Sequence, residues 1–206
     1  MSKRLVDSKA PALAGMVRSL GNINFYEEGW QTGFIDQLAR IYLVVAGFKN
    51  KEQLSPLLIE DVRSGIGFIQ STENLKKQEG IIDNWPVLAK QITEEDGLVT
   101  ERNWLYGSGS NRYALVLQFI VRGQGARFSL TPGILLPAEL VFYPSAQPVR
   151  AMIKEQVTSA GKPHVTPFKN WLEVAASETT LNAELPFRSE RLFIIQNIKP
   201  VEYDNS

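Results

Sequence analysis

The chain has 206 residues, 44% of them hydrophobic and 21% charged, with 22 basic and 22 acidic side chains in balance. That composition suits a soluble globular protein with one sizeable core or two small ones, and its neutrality leaves no global field to draw in nucleic acid or an anionic membrane. With no cysteine and one histidine, His164, disulfides, thiol chemistry and cysteine-liganded zinc are excluded.

The opening MSKRLVDSKAP lacks the apolar stretch of a secretory leader, and apolar runs such as Ile41 to Gly47 fall far short of the roughly 20 residues a spanning helix needs. A cytoplasmic chain is expected. Asp7 or Ser8 is placed to cap a first helix with Pro11 in its opening turn, and Leu13, Met16, Val17 and Leu20 recur at helical spacing until Gly21. A second helix fits Trp30 to Ala46, where Phe34, Leu38, Ile41 and Val45 form one stripe that Ile35 and Tyr42 widen. Such width predicts burial between two neighbours. Ser55 and Pro56 make an N-cap and first-turn pair for a third helix carrying Leu58, Val62 and Ile66, weakened at its end by Gly65 and Gly67. Glu73 to Gln78 reads as one polar turn or a short surface helix.

From Ile81 the pattern changes to period two. Trp85 to Ile92 reads as a strand, and Asp96-Gly97 as a tight turn into Leu98 to Tyr106. The run Gly107-Ser108-Gly109-Ser110-Asn111 has the chemistry to reverse the chain. Tyr113, Leu115, Leu117 and Phe119 then share one face of a strand and Ala114, Val116 and Ile120 the other, so both faces want cover. Leu136, Ala138, Leu140 and Phe142 alternate in turn, and Val149 to Ile153 resumes the period beyond Pro148. The links are too short for helical crossovers, which predicts an antiparallel meander of about four strands. Thr166-Pro167 opens a helix through Trp171, Leu172, Val174 and Ala175 as far as Leu181, and Arg191 to Ile198 reads as a strand returning to the sheet. The four tryptophans, Trp30, Trp85, Trp104 and Trp171, are spread as core anchors are. The fold class is therefore α+β: an N-terminal helical layer packed on a mostly antiparallel sheet, with a C-terminal helix and a returning strand. A helical subdomain over 1–80 and an antiparallel sheet subdomain over 81–206 are expected to form one continuous globular unit.

Several landmarks stand in a recognisable order: RLVDSKAPALAGMVRSL, LARIYLVVAGF, DVRSGIGF, QITEEDGLVTERNWLYG, SNRYALVLQF and PAELVFYPSAQPVRAMI. Over residues 4–155 they resemble the region downstream of the zinc finger in bacterial SWIM zinc-finger proteins. Those proteins carry Cys-x-Cys followed by Cys-x-His near their N-terminal end, and this chain has no cysteine. The zinc function, and the DNA or protein binding proposed for the finger, consequently pass to no residue here. The resemblance implies a piece or truncated relative of a larger protein, with AAA-type ATPase and von Willebrand A-type proteins as partners.

Candidate chemistry is sparse. Gly107-Ser108-Gly109 and Gly123-Gln124-Gly125 lack the Gly-Lys-Ser/Thr ending and the following helix of a phosphate loop, and read as hairpin turns. Glu94, Glu95, Asp96 and Glu101 are the densest acidic group, but neighbours on a strand alternate faces, so a solvated edge and turn is expected. His164 lies in a Gly/Pro-rich loop without a Ser or Asp partner motif and reads as a surface histidine. Between Pro148 and Asn170, Arg150, Lys154, Lys162 and Lys169 stand against Glu155 alone, the one local basic excess and the residues assigned here to contact with a partner or nucleic acid. No catalytic residue, metal or cofactor is expected. The leading expectation is a non-enzymatic interaction or scaffold module of a larger assembly, bound to other proteins and not to a membrane. A weak nucleic-acid-binding module using the Arg150–Lys169 segment is the alternative, and an enzyme of unknown type the third reading.

Overall fold

The computed structural model describes residues 2–7, 9–68, 70–95, 97–121, 128–158, 163–186 and 191–199. Two compact units are present, one made of residues 1–79 with 142–148 and 182–189, the other of residues 80–141, 149–181 and 190–206.

The first unit is helical: α1 (Ser2–Asp7), α2 (Pro11–Ser19), α3 (Trp30–Lys49), α4 (Pro56–Ile66) and α5 (Thr72–Lys76). Asp7 ends α1 instead of capping the next helix, and α2 starts behind Ala10, whose side chain makes no capping bond. Pro11 accounts for the start, because its fixed φ suits the first helical position and its missing N–H would be unsatisfied there anyway. Ser55 caps α4 as expected, its Oγ accepting from the Leu58 N–H at 3.4 Å. The core of this unit is Ala10, Leu13, Val44, Val62 and Ile66, with Leu5, Met16, Ile41, Val45 and Leu54 packed around it. Helix α3 thus buries one face, through Ile41, Val44 and Val45. Ile35, Leu38 and Tyr42, expected to lie against a second neighbour, are exposed. Gln70 reaches Glu60 at 3.0 Å, and Asp61 accepts from the Ala146 N–H at 2.8 Å, which ties the 142–148 loop to α4.

Gly67 closes α4 at φ +112°, and a Cβ there would stand 2.7 Å from the Ala12 nitrogen and 2.8 Å from Pro11 Cγ. Both the positive φ and the close approach of α2 demand glycine. We expect Gly67→Ala to lower unfolding free energy by about 2 kcal/mol or more in chemical denaturation, whereas Gly21→Ala, with open space at its Cβ, changes it little.

The second unit holds β1 (Ile81–Glu95), β2 (Leu98–Tyr106), β3 (Tyr113–Val121), β4 (Leu135–Phe142, all but its last residue) and β5 (Arg150–Gln156), followed by α6 (Trp171–Glu184) as far as Leu181. The α+β class holds, and the sheet closes into a barrel in the order β1-β2-β3-β5-β4. β1 pairs antiparallel with β2 and with β4, β2 antiparallel with β3, and β3 parallel with β5, while β5 and β4 are neighbours in the same barrel. One strand, β1, serves two neighbours: Ile81 to Pro86 pair with β4, and Val87 onward pair with β2 across an irregularity at Leu88. Pro86 sits beside that irregularity, where its missing N–H is tolerated. Trp85, Val87, Leu105, Ala114, Val116, Leu136, Ala138, Leu140 and Ala151 fill the core, and Trp85 Nε1 donates to the Ala138 carbonyl at 3.1 Å.

The segment expected as a returning strand over Arg191 to Ile198 makes instead a single bridge, Phe168 with Ile195. Phe168 exchanges hydrogen bonds with Ile194 and Gln196, and the ladder stops because Pro167 before it has no N–H and Asn170 soon after starts α6. The Ile194 N–H donates to the Tyr113 hydroxyl at 3.3 Å. Burial raises the Tyr113 pKa, this bond partly opposes the rise, and the neighbouring Tyr106 adds to it. Trp171, placed among the core anchors by its spread, is exposed. No helix of the described residues is long and apolar enough to cross a membrane.

Asp83 holds the Gly107–Asn111 reversal. Its carboxylate accepts from the Gly109 N–H at 2.9 Å, from the Ser110 N–H at 2.8 Å and Oγ at 2.7 Å, and from its neighbour Asn84 at 2.7 Å. Burial alone would raise its pKa, but the bonds from Ser110, Gly109 and Asn84 together outweigh burial and hold it below the usual carboxylate value. A depressed folded-state pKa contributes stability that is present above the unfolded value, near 4, and is lost as pH falls through the folded one. The stability gap between the native chain and Asp83→Asn should therefore be full at neutral pH and close progressively in acid, read from denaturation midpoints at stepped pH.

Candidate interaction site on the projecting strands

Strands β1, β2 and β3 outrun their partners. Pairing with β4 ends at Pro86, and the β3–β5 ladder covers only Leu115 and Val116, yet the β1–β2–β3 ladder continues through Glu95, Leu98 and Val121. The register puts Leu98 opposite Val121 and Thr100 opposite Phe119, so Leu98, Phe119 and Val121 share one face, while Ile92, opposite Glu101, lies on the other. Their exposures are 38% for Leu98, 55% for Phe119, 51% for Val121 and 58% for Ile92. Apolar side chains are thus open on both faces of this projection. Along β1 beyond Val87, no strand among the described residues pairs with the second edge.

Where the projection leaves the barrel, polar side chains replace the core. Lys90 Nζ lies 2.9 Å from Glu101 Oε1, and Gln118 Nε2 donates to Glu101 Oε2 at 3.2 Å. Gln118 also clamps the chain after β3, donating to the Phe128 carbonyl at 3.0 Å and accepting from the Phe128 N–H at 3.2 Å. Residues 128–134 then cross to β1, where Gly133 donates to Val87 and Val87 donates to Ile134, with Leu130 buried between. Asn103, fully buried beside this group, donates weakly to Val116 at 3.5 Å, and its Oδ1 has no partner among the described residues. Because one side-chain amide satisfies both backbone groups of Phe128, Gln118→Ala should cost about 1–3 kcal/mol of stability and speed hydrogen exchange at Phe128 relative to the Leu105 strand.

The residues singled out in the sequence are dispersed. Arg150 opens β5 opposite Leu115, and Lys154 donates to Glu139 at 2.8 Å. Glu139 also accepts from the Gly80 N–H at 2.8 Å; Lys154 chiefly, then Gly80, hold its pKa below the ordinary value. Lys169 is exposed, its backbone N–H on Glu173, and Lys162 lies outside the described residues. Of the acidic group, Glu101 turns inward to Lys90 and Glu94 is exposed, while Asp96 and the Glu95 side chain lie outside the described residues. His164 is exposed; its N–H donates to Ser108 Oγ at 3.0 Å, and its ring lies 3.4 Å from Thr166 Oγ1. The Gly107 turn is a clamped hairpin loop, and Gly123 to Gly125 fall outside the described residues. Among the described residues no group of three or more His, Asp or Glu side chains is placed to hold a metal. What sequence reasoning missed is the projection itself, whose one signal was that Leu117, Phe119 and Val121 extend the two-sided alternation of β3 past any predicted cover.

Residues 1–66 match the family model described as the SWIM-associated four-helix bundle domain. The match covers 66 of the 206 residues, and this similarity of the helical end to a SWIM-associated domain agrees with the resemblance read from the landmarks. No curated protein matches the chain, and no solved structure does.

Proposed function

We propose that this SWIM-associated chain is a non-enzymatic interaction module of a larger assembly, and that it engages a protein partner through the projecting part of β1, β2 and β3. The observation that carries this reading is the coincidence of an open strand edge with apolar side chains on both faces of the same projection, at Ile92, Leu98, Phe119 and Val121. Soluble proteins normally blunt such edges with charge, proline or cover, because an unpaired row of N–H and C=O groups invites another strand. A partner strand added at β1 would gain main-chain hydrogen bonds and apolar contacts on alternate side chains. AAA-type ATPase and von Willebrand A-type proteins, implied by the resemblance, are the partners to try first.

The nucleic-acid reading has one feature in its favour. Closed five-stranded Greek-key barrels include the oligonucleotide-binding folds, which use the outer face of strands 2 and 3, where this chain carries Arg102, Trp104 and Phe119. Arg102 is the one cation on that face among the described residues, however, and it donates to Thr93 at 3.0 Å; Lys154 is held by Glu139. Phosphate neutralisation, the main source of affinity for nucleic acid, is correspondingly small.

The test is quantitative binding of the purified chain to each candidate partner and to single-stranded and duplex DNA at low and moderate salt. Ile92→Lys with Phe119→Glu should weaken protein binding at least about tenfold, as loss of exposed apolar anchors does, without lowering the melting temperature. Undiminished protein binding by the double variant, or DNA binding that survives moderate salt, sinks the proposal.

A further inference from the structure

The widest apolar stripe of the helical unit is only half used. Helix α3 turns Ile41, Val44 and Val45 into its unit's core, yet on its opposite side Ile35 is 63% exposed, Leu38 47% and Tyr42 70%. At 100° per residue these three fall in one row with Ala39 and Ala46 beside them, small residues that let another helix come close. The ends of the row are charged in opposite senses. Glu27 and Glu28 stand just before Trp30, and Lys49 and Lys51 stand at and just past the last turn, all exposed.

We propose that this face is the interface between two copies of the chain, with the α3 helices packed antiparallel about a two-fold axis near Leu38 and Ala39. In that arrangement Ile35 of one copy meets Tyr42 of the other, and Glu28 meets Lys49, twice over by symmetry. An isologous contact must be complementary to itself, and this row is: apolar at the centre, acidic at one end, basic at the other. The helix dipole explains why Glu precedes α3 and Lys ends it, and an antiparallel copy aligns those same charges and both dipoles favourably. It does not explain the three large apolar side chains left in water between them, which a second copy covers. A foreign helix would cover them as well, but the acidic segment before α3 and the basic residues at its end make the row complementary in charge to an antiparallel copy of itself. The inference does not rest on the projecting strands, which belong to the other compact unit, so the two proposals fail separately.

Sedimentation velocity of the full chain over a wide concentration range should show a monomer–dimer equilibrium. Ile35→Glu with Tyr42→Glu should weaken association about a hundredfold or more, as removal of central anchors does, with an unchanged circular dichroism spectrum and the melting temperature that the native chain shows at concentrations where it is monomeric. The decisive arm is a charge exchange: Glu28→Lys alone and Lys49→Glu alone should each weaken self-association about fivefold, while an equimolar mixture of the two variants should recover native association, because each then meets its opposite. A chain that stays monomeric at all concentrations overturns the proposal. So does a dimer indifferent to Ile35→Glu with Tyr42→Glu, or a variant mixture that associates no better than its components. If the double variant loses self-association and still binds a protein partner as the native chain does, the two surfaces are independent, as inferred.

Discussion

The barrel depends on the bend in β1. A single strand can hydrogen-bond β4 with its first half and β2 with its second only if its edges are re-aimed midway, and the irregularity between Val87 and Ala89 does that. Pro86 makes the same place unfavourable for a regular ladder, so local chemistry and global closure agree there. Closure in turn brings β5 against β3 in parallel and buries Trp85, Leu105, Ala114 and Ala138 in one core. Since β4 occupies only the first half of β1, the second half is carried outward with β2 and β3 as an open element.

Polar ties hold this geometry where apolar packing thins out. Asp83 organises the turn at one end with four hydrogen-bond donors, and Gln118 with Lys90 and Glu101 organises the crossing at the other. On the wall between, Glu139 joins the Gly80 backbone to Lys154. Buried polar groups of this kind stabilise only when satisfied, which is why the matched partners matter more than their number. The Asn103 oxygen, without a partner among the described residues, is the exception, and Asn103 pairs in register with Lys90 of the Gln118, Lys90 and Glu101 group.

Among the surfaces of the described residues that leave large apolar side chains in water are the projecting strands and the outer row of α3, one on each compact unit. Contiguous apolar patches on a soluble protein mark contact sites more often than scattered single residues do. The outer row of α3 falls within residues 1–66, the part of the chain that matches the SWIM-associated four-helix bundle domain.

Local structure was legible from the residues alone. Ser55-Pro56 announced α4, Gly67 its end, and the two-sided alternation of Tyr113 to Ile120 a central strand, because each signal is set by hydrogen bonds and sterics within a few residues. The width of the α3 stripe was legible too, but the burial between two neighbours expected from it was not met, since Ile35, Leu38 and Tyr42 are exposed. What no spacing could reveal was which element covers a given apolar face, or whether any does. Periodicity reports that a face seeks cover and says nothing of whether β4, β5 or another molecule supplies it, so barrel closure, the parallel β3–β5 pair and the bare row of α3 appeared only in the tertiary structure. The same holds for charge: Lys154 looked like part of a basic segment with Arg150, Lys162 and Lys169, but Glu139, fifteen residues upstream, lies within hydrogen-bonding reach only because β4 and β5 are neighbours in the closed barrel.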